Sequence, residues 1–188
     1  MRFCYLCAKY KDKMILKGFK EKSIKKHINK LLSERYVNVS AKKVESLGII
    51  FNLDEVDNFE QFNVLSSCLK VMPNRLKVIA FSSNKKETLK SWDVCFNPDD
   101  FGWNGVVKSG ELQTFLNTKF DVLISYYEAD ITELKLLTVK SKAEFKIGLL
   151  QIDERLNDLI IKTNLKEFNV FKDEVFKYLT ILKKIKNE

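Results

Sequence analysis

The fold is decided by the run Ser46-Leu-Gly-Ile-Ile-Phe-Asn-Leu53, in which apolar residues follow one another almost without interruption. Such a run is typical of a parallel strand that is covered on both faces of its sheet. Asp57 or Asn58 then caps a helix, and a second buried strand follows over Leu76 to Phe81. The helix places apolar residues at helical spacing: Phe59, Phe62, Leu65 and Leu69. The order strand, helix, strand predicts a parallel pair with a right-handed crossover.

The same alternation continues towards the C-terminus. Further strands are expected over 93–96, 120–126, 145–150 and 158–162, although the last could equally be a helical turn. Helices are expected from Ser109 or Gly110, from Asp130, and over about 166–185. The sequence therefore predicts an α/β fold in three layers, with a mainly parallel sheet and helices on both faces. We expect a single domain over residues 44–188.

Residues 1–43 form a basic arm that precedes this domain. They carry thirteen Lys and Arg against three acids, a net charge of +10, whereas residues 44–188 carry twenty against twenty-two, so all of the positive excess behind the chain's net charge of +8 lies in the arm. Apolar residues recur at helical spacing from about Lys11 to Arg35, which predicts a basic amphipathic N-terminal helix. Its stripe includes Phe19, Ile24, Ile28 and Leu32. We expect this stripe to pack on the domain, and residues 1–13 to lie outside the fold.

Composition excludes or disfavours several classes of protein. A chain with 45% hydrophobic and 31% charged residues is globular, and no apolar stretch approaches the ~18–20 residues of a membrane span. No secretory signal precedes the four cysteines, so we expect a cytoplasmic protein. A basic stripe attracts the phosphates of nucleic acid or anionic lipid, but a Lys-rich helix is also simply soluble. We do not expect nucleic acid as a partner.

The motifs of nucleotide, metal and nucleophile chemistry are missing from the sequence. The six glycines form neither G-x-G-x-x-G nor G-x-x-x-x-G-K-[ST]. Cys4 and Cys7 have the spacing of a zinc knuckle or a redox pair, but zinc needs four ligands and the single histidine, His27, lies twenty residues away. We therefore expect no cofactor and no metal site, and we assign no catalytic residue.

Acids at the carboxyl ends of the predicted strands are candidates for ligand binding. In an open parallel sheet, ligands bind outside these ends, near the point where the strand order reverses. Asp54, Glu128 and Asp153 each follow one of the predicted strands. Several such acids could meet in one crevice and serve there as Mg²⁺ ligands or as acid and base. The alternative is that they cap helices and complement helix dipoles.

The loop over 97–105 is unusual because it combines two acids, two glycines and a tryptophan. In one interpretation it contacts a ligand, with Trp103 as a stacking face and with polar contacts from Asp99, Asp100 and Asn104. In the other it is a tight turn whose Phe101 and Trp103 are pinned into the core, with glycines that permit unusual backbone angles. We expect the second arrangement, with Trp103 at least half buried.

Three parts of the sequence resemble a family of small bacterial proteins of unknown function. They are Met14–Lys26, the loop Phe101-Gly-Trp-Asn-Gly105, and Phe145–Leu150 followed by Glu154–Asp158. The resemblance extends from Met14 onward and implies a cytoplasmic bacterial α/β protein, without implying a catalytic residue. Phe120-Asp121 followed by Lys146-Ile-Gly148 is also similar to the N-terminal half of heptosyltransferase-like glycosyltransferases. Those enzymes need two such domains, and this chain would hold one.

The expected function is a non-enzymatic binding or regulatory module, anchored by the helix stripe and by the loop around Trp103. Its partner would be another protein or a small anionic ligand, with no integral membrane association. The alternative is an enzyme or degenerate enzyme that acts on a phosphorylated or sugar-like small molecule at the strand ends. Strand-end acids that converge in a deep pocket would favour the enzyme. Lysines of the arm that stand clear of the body would favour a peripheral nucleic-acid or membrane binder.

Overall fold

The computed structural model describes residues 3–36, 42–84, 94–150 and 153–185, of which 3–15 are described by their backbone alone. One sheet contains six parallel strands: β1 (Leu47–Asn52), β2 (Leu76–Phe81), β3 (Cys95–Phe96), β4 (Val122–Tyr126), β5 (Phe145–Leu149) and β6 (Leu159–Ile161). The described residues also form five α-helices: α1 (Phe3–Ser33), α2 (Glu60–Cys68), α3 (Gly110–Asn117), α4 (Thr132–Lys140) and α5 (Phe168–Ile181). The predicted α/β fold is confirmed.

The sheet is the middle of three layers, because its side chains alternate between two apolar clusters. Ile49 and Phe51 belong to one cluster, which α2 and α5 complete with Phe62 and Phe171. Ile50 belongs to the other cluster, which is completed by residues of α1, α3 and α4. Every residue of β1 is buried as a result, which explains why its sequence is continuously apolar rather than alternating.

The strands lie in the order β3-β2-β1-β4-β5-β6, which the sequence analysis left open. β1 is central, since Leu47 pairs with Leu76 of β2 on one side and with Val122 of β4 on the other. The chain first moves outward from β1 to β3, then returns to the middle at β4 and continues in the opposite direction. The strand order therefore reverses between β1 and β4, where open α/β sheets form a crevice at their carboxyl edge.

The first helix is longer than predicted, because the backbone is helical from Phe3 rather than from about Lys11. Its second half packs on the domain as expected, with Ile24, Ile28 and Leu32 buried in the cluster that contains α3 and α4. Phe19 was wrongly placed in the packed stripe, since 58% of its surface is exposed. Five residues separate Phe19 from Ile24, which turns the ring about 140° around the helix, away from the sheet.

An ion pair fixes the C-terminal end of α1 to the distant edge of the sheet. The Arg35 guanidinium bonds to Asp158, which directly precedes β6 and whose side chain is only 2% exposed. Arg35 Nη1 also donates to the backbone oxygen of Arg155 at 2.7 Å. The other oxygen of Asp158 accepts the backbone N–H of Lys146 in β5 at 2.7 Å. One carboxylate thereby joins α1, β5 and the approach to β6.

The helix ends show where the capping predictions succeed and fail. Ser109 is the N-cap of α3, as expected, and accepts the N–H of Leu112. Asp130 does not cap α4, because that helix starts one residue later, at Thr132, with Ile131 at its N-cap. Asp130 forms an ion pair with Lys135 instead. Tyr178 of α5 and Leu182, which follows its last residue, are each 37% exposed, so they lie outside its buried face.

Candidate functional site

The first loop at the strand reversal is held closed by hydrogen bonds within the chain. Asp54, which follows β1, accepts from the Ser82 hydroxyl at 2.6 Å and from the Ser83 backbone N–H at 2.8 Å. The loop after β1 is therefore fastened across the end of β2, and both oxygens of this carboxylate are in use. Asp54 acts here as a structural connector between two neighbouring strand ends.

A second pair of acids fastens the other side of the reversal. Glu55 Oε2 accepts from the Asn52 amide at 3.0 Å and from the backbone N–H of Glu128 at 3.3 Å, which joins the loops after β1 and β4. Glu128 in turn accepts the backbone N–H of Leu165 at 3.1 Å through Oε1. The acids at the reversal lie close together, but their carboxylates accept hydrogen bonds from the neighbouring loops of the chain.

This arrangement does not fit a dinucleotide, although the strand order is that of the dinucleotide-binding folds. Those folds place pyrophosphate against a glycine-rich turn after β1 and the start of the next helix. Here that turn carries Asp54, Glu55 and Asp57, and the first turn of α2 carries Glu60. Carboxylates at these positions repel phosphate, and no glycine allows the backbone to approach it.

An open cavity of about 290 Å³ lies beside the reversal, where α1 crosses over the carboxyl edge of the sheet. Phe81 and Ser83, at the end of β2, form its floor together with Ile131 from the start of α4. Lys17 and Lys20 of α1 line the opposite wall, and Pro98 closes one side. The cavity therefore lies between the sheet edge and the basic helix.

The charges around this cavity are partly neutralised by ion pairs. Glu21 pairs with Lys25 at 2.7 Å, and the hydrogen bond from Lys25 lowers the pKa of the Glu21 carboxyl. Asp130 pairs with Lys135. Lys20 donates to the backbone oxygen of Pro98 at 3.1 Å. Lys17 and Lys20 line the cavity together with Glu133, and these three described residues have no ion pair with one another.

The N-terminus of α4 adds partial positive charge to the same cavity. Ile131 is the N-cap, and among the described residues no side chain caps the first N–H groups of this helix. Thr132 and Glu133, the first two helical residues, both line the cavity. Uncapped N–H groups and the helix dipole favour an anion at such a position, as do Lys17 and Lys20, whereas the Glu133 carboxylate in the same turn opposes one.

A smaller opening of about 170 Å³ lies on the other side of α1. Thr132 lines this opening as well as the larger cavity, so α1 passes over the start of α4 between the two. Asp153 also lines it, and pairs with Arg155 at 2.7 Å, which lowers the pKa of the Asp153 carboxyl. Arg155 reaches across to Asn29 of α1 at 3.1 Å.

Comparison with known proteins places the chain in a family. The model of DUF6913, a family of unknown function, matches residues 20–182, which is most of the sequence. The chain belongs to the DUF6913 family. The resemblance to a family of unknown function is thereby confirmed, and the match begins at Lys20 rather than at Met14. No curated protein and no solved structure matches the DUF6913 chain.

The candidate residues named from the sequence of the DUF6913 chain do not form one site. Asp54 and Glu128 lie at the strand reversal, and Asp153 lies beyond α1 in the smaller opening. The others lie in the loop over 97–105, which docks on α1. That loop holds Asp99, Asp100, Trp103 and Asn104.

Within this loop the side chains of Asp100 and Asn97 stabilise the backbone. Asp100 accepts the N–H of Asn97 at 2.9 Å, and Asn97 accepts the N–H of Asp99 at 3.0 Å, so the two form a capping box around a short 3₁₀-helix. The N–H of Asn104 donates to the Ser23 hydroxyl of α1 at 3.0 Å. Phe101 is fully buried as expected, but Trp103 is 50% exposed, at the limit of the predicted burial.

The part that Lys17, Lys20 and Thr132 play in lining the larger cavity was not predicted from the sequence. Lys17 and Lys20 precede Ile24 by seven and four residues, so they continue the face of α1 that is buried further along. Lysines on a face that is otherwise apolar indicate that the helix passes over a polar region there. That clue was present in the sequence, whereas the part played by Thr132 depends on where α1 crosses α4.

A buried lysine lies away from these openings, in the middle of the DUF6913 domain. Lys146 of β5 is 4% exposed, and its ammonium nitrogen contacts the backbone oxygens of Thr138 at 2.7 Å and Val139 at 3.1 Å, at the end of α4. Burial lowers the pKa of this amine to about 7, and the positive charge of Arg35 adds to the effect while Asp158 opposes it. Its partners make Lys146 a C-terminal cap of α4.

Two kinds of feature are absent from the described residues of the DUF6913 chain. No three side chains among His, Cys, Asp and Glu come together there in a way that could hold a metal ion. No helix within the described ranges combines the length and the apolar character that crossing a bilayer requires. The site to be explained is therefore the cavity between α1 and the sheet edge.

Proposed function

We propose that this DUF6913 protein is a non-enzymatic binding module for a small anionic ligand, held in the cavity between α1 and the carboxyl edge of the sheet. The observation that carries the proposal is the position of the cavity. It opens beside the strand reversal, where α/β folds bind ligands, and it is faced by Lys17, Lys20 and the uncapped start of α4.

The lining also indicates the class of ligand. A phosphate or carboxylate group is favoured between the two lysines and the N–H groups of α4. Glu133 lines the same cavity and can accept hydrogen bonds from hydroxyl groups. A small molecule that joins a phosphate to several hydroxyls, such as a sugar phosphate, matches both requirements.

Binding without catalysis is favoured because the polar groups at the strand reversal are engaged in holding the loops together. Asp54, Glu55 and Glu128 each accept hydrogen bonds from neighbouring loops. A general acid or base has to be free to reach a bound substrate. His27, the single histidine of the sequence, packs near Gly105 and is not among the residues that line the cavity.

The proposal is tested by isothermal titration calorimetry, in which the protein is titrated separately with inorganic phosphate, glucose 6-phosphate and glucose. Both phosphate compounds should bind and glucose should not, and Lys17→Ala and Lys20→Ala should each weaken binding by about tenfold. Lys22→Ala is the matched control, because Lys22 is an exposed lysine of α1 that does not line the cavity. Equal weakening by all three variants, or no heat at ligand concentrations of about 10 mM, would refute the proposal.

A second candidate function is an enzyme or degenerate enzyme acting on the same class of molecule. It is favoured by the presence of two carboxylates, from Asp130 and Glu133, in one cavity with the hydroxyl of Thr132. Incubation with glucose 6-phosphate followed by ³¹P NMR distinguishes the two functions. If the wild type releases phosphate or forms another ester, and if Glu133→Gln does not, the protein is an enzyme rather than a binding module.

We further propose a bacterial, cytoplasmic protein with a basic arm over 1–43 and an α/β domain over 44–188. The thiols of Cys68 and Cys95 are free, which suits a reducing compartment, and burial raises the pKa of Cys95 to about 11, so that thiol is protonated at neutral pH. We also propose kinship with heptosyltransferase-like N-terminal halves, supported by the β4-α4-β5 unit, which directly follows Phe120-Asp121 and contains Lys146-Ile-Gly148.

A further inference from the structure

An exposed apolar surface lies where α1 meets the loop over 97–105. Leu16 and Phe19 of α1 are 56% and 58% exposed, and Trp103 and Val106 of the loop are 50% and 58% exposed. Phe19 precedes Ser23 by one helical turn, and Trp103 directly precedes Asn104, which bonds to Ser23. Phe19 and Trp103 therefore lie beside one contact. Leu16 lies about one helical turn before Phe19, and Val106 lies in the same loop as Trp103, so we call these four residues the Trp103 surface.

The loop presents Trp103 in a fixed position. The Lys140 ammonium group donates to the backbone oxygen of Gly105 at 2.7 Å, and the N–H of Gly102 donates to the oxygen of Val106 at 2.6 Å. Gly105 has φ of +69°, and a Cβ there would lie 2.9 Å from a Leu136 methyl group, so only glycine fits. Buried Phe101 anchors the other end. The half-exposed indole is preorganised, which reduces the entropy lost on binding.

The helix that contributes Leu16 and Phe19 to the Trp103 surface carries a net positive charge, while the loop over 97–105 adds the carboxylates of Asp99 and Asp100. Residues 16–36 carry six lysines and one arginine against two glutamates, and both glutamates pair with lysines of the same helix. Lys22 and Lys26 follow Phe19 by three and seven residues, which places them on its side of the helix. Neither has an acidic partner within 4 Å among the described residues.

We propose that the Trp103 surface docks an acidic segment of another protein that carries an aromatic or large aliphatic anchor. Tryptophan in a rigid setting is the residue most enriched at the centres of protein interfaces, and Leu16, Phe19 and Val106 would exclude water around it. The unpaired charges of Lys22 and Lys26 select a negatively charged partner and speed its approach.

Other occupants fit these observations less well. A second copy would bring the same lysines against one another across a two-fold axis, which charge repulsion opposes. Nucleic acid would use the lysines but would leave Leu16 and Val106 without a role. A bilayer would have to accommodate the carboxylate of Asp99, which lies in the same loop as Trp103.

The test is selection from a phage-displayed library of random peptides about 16 residues long, or roughly four helical turns, on the full chain. The Trp103→Ala chain serves for counter-selection. Enriched peptides should carry net negative charge and an aromatic or large aliphatic residue. Synthetic copies should bind Trp103→Ala and Phe19→Ser at least about tenfold more weakly than the wild type, and binding should weaken as salt rises.

The controls separate this surface from the rest of the protein. Val64→Ser, at a 55% exposed position of α2 on the opposite face of the sheet, should leave peptide binding unchanged. Phe19→Ser keeps the test valid if Trp103→Ala fails to fold, because Phe19 lies exposed on a helix. Phosphate binding should persist in Phe19→Ser, so failure here is distinguishable from failure of the proposed cavity.

Several results would overturn the proposal. They are the absence of enrichment over Trp103→Ala, enrichment of neutral or basic peptides, and unchanged binding to Phe19→Ser. If no peptide is enriched but the protein binds vesicles that contain phosphatidylglycerol, and if this binding depends on Trp103, the surface would be assigned to a membrane instead. A dimer in sedimentation equilibrium that Phe19→Ser dissociates would assign it to a second copy.

Discussion

Replacement of Lys146 by methionine tests whether a buried amine gives up its proton when the chain folds. Burial beneath α4 opposes the charged form, whereas the backbone oxygens of Thr138 and Val139 favour it. The first effect dominates, since the pKa is lowered from 10.5 to about 7. Between these two values the unfolded chain holds a proton on Lys146 that the folded chain has released.

This difference in bound protons makes stability depend on pH. Because the unfolded state binds more protons, the free energy of unfolding of the wild type rises with pH through this window, by up to about 1.4 kcal/mol per pH unit. From pH 7.5 to 9.5 the wild type should gain about 2 kcal/mol relative to Lys146→Met, which has no amine to titrate. Other titrating groups are shared by both proteins and cancel in the comparison.

The measurement is urea unfolding of both proteins at pH 7.5, 8.5 and 9.5, with the free energy extrapolated to water. Lys142→Met is the matched control, because Lys142 is an exposed lysine close to the end of α4, and its difference from wild type should not change with pH. A difference between wild type and Lys146→Met that is constant from pH 7.5 to 9.5 would refute the reasoning. It would mean that the carbonyl groups of α4 keep Lys146 charged.

Four further perturbations follow from the packing. Gly48→Ala would place a Cβ 2.7 Å from the Phe120 ring and should destabilise the protein by about 1–3 kcal/mol in urea unfolding, and an unchanged midpoint would contradict the close packing. Arg35→Ala leaves the Asp158 carboxylate buried without its guanidinium partner and should lower the free energy of unfolding by about 3 kcal/mol in the same assay. Lys30→Ala removes an exposed ion pair and serves as the control. Deletion of residues 1–13 should shift the melting temperature by no more than about 2 °C, and a larger loss would assign them to the fold. Trp103→Ala should lower the free energy of unfolding by about 1–2 kcal/mol rather than by the 3–5 kcal/mol of a core aromatic. In a Trp92→Phe background, iodide should partially quench the fluorescence of Trp103, and full protection from iodide would mean a buried ring.

The strands could be predicted because each is a short apolar run bounded by polar residues. The run Leu76–Phe81 coincides with β2, and the run from Ser46 differs from β1 by one residue at each end. The order of the strands could not be predicted. The pairing of Leu47 with Val122 joins residues far apart in sequence, and nothing local to either strand specifies its neighbour.

The candidate site was predicted less well, for two physical reasons. Phe101 and Trp103 are both large aromatics in one loop, and the sequence does not decide which of them turns inward when only one fits into the core. The cavity depends on the path of α1 over α4, which is set by contacts such as Ser23 to Asn104 and Arg35 to Asp158. These contacts join distant parts of the chain and have no local sequence pattern.

The docking of α1 has a consequence for the order in which the protein is synthesised. Ser23 bonds to a residue 81 positions later, and Arg35 to one 123 positions later. At about 5–20 residues per second, the ribosome needs roughly 6–25 s to synthesise the 123 residues from Arg35 to Asp158. Until β1 and β2 have been made, the apolar face of the nascent helix has no sheet to pack on, and its contact with Asp158 forms only after that residue has been added. The net positive charge of residues 16–36 opposes association of such helices on neighbouring nascent chains, because like charges repel one another.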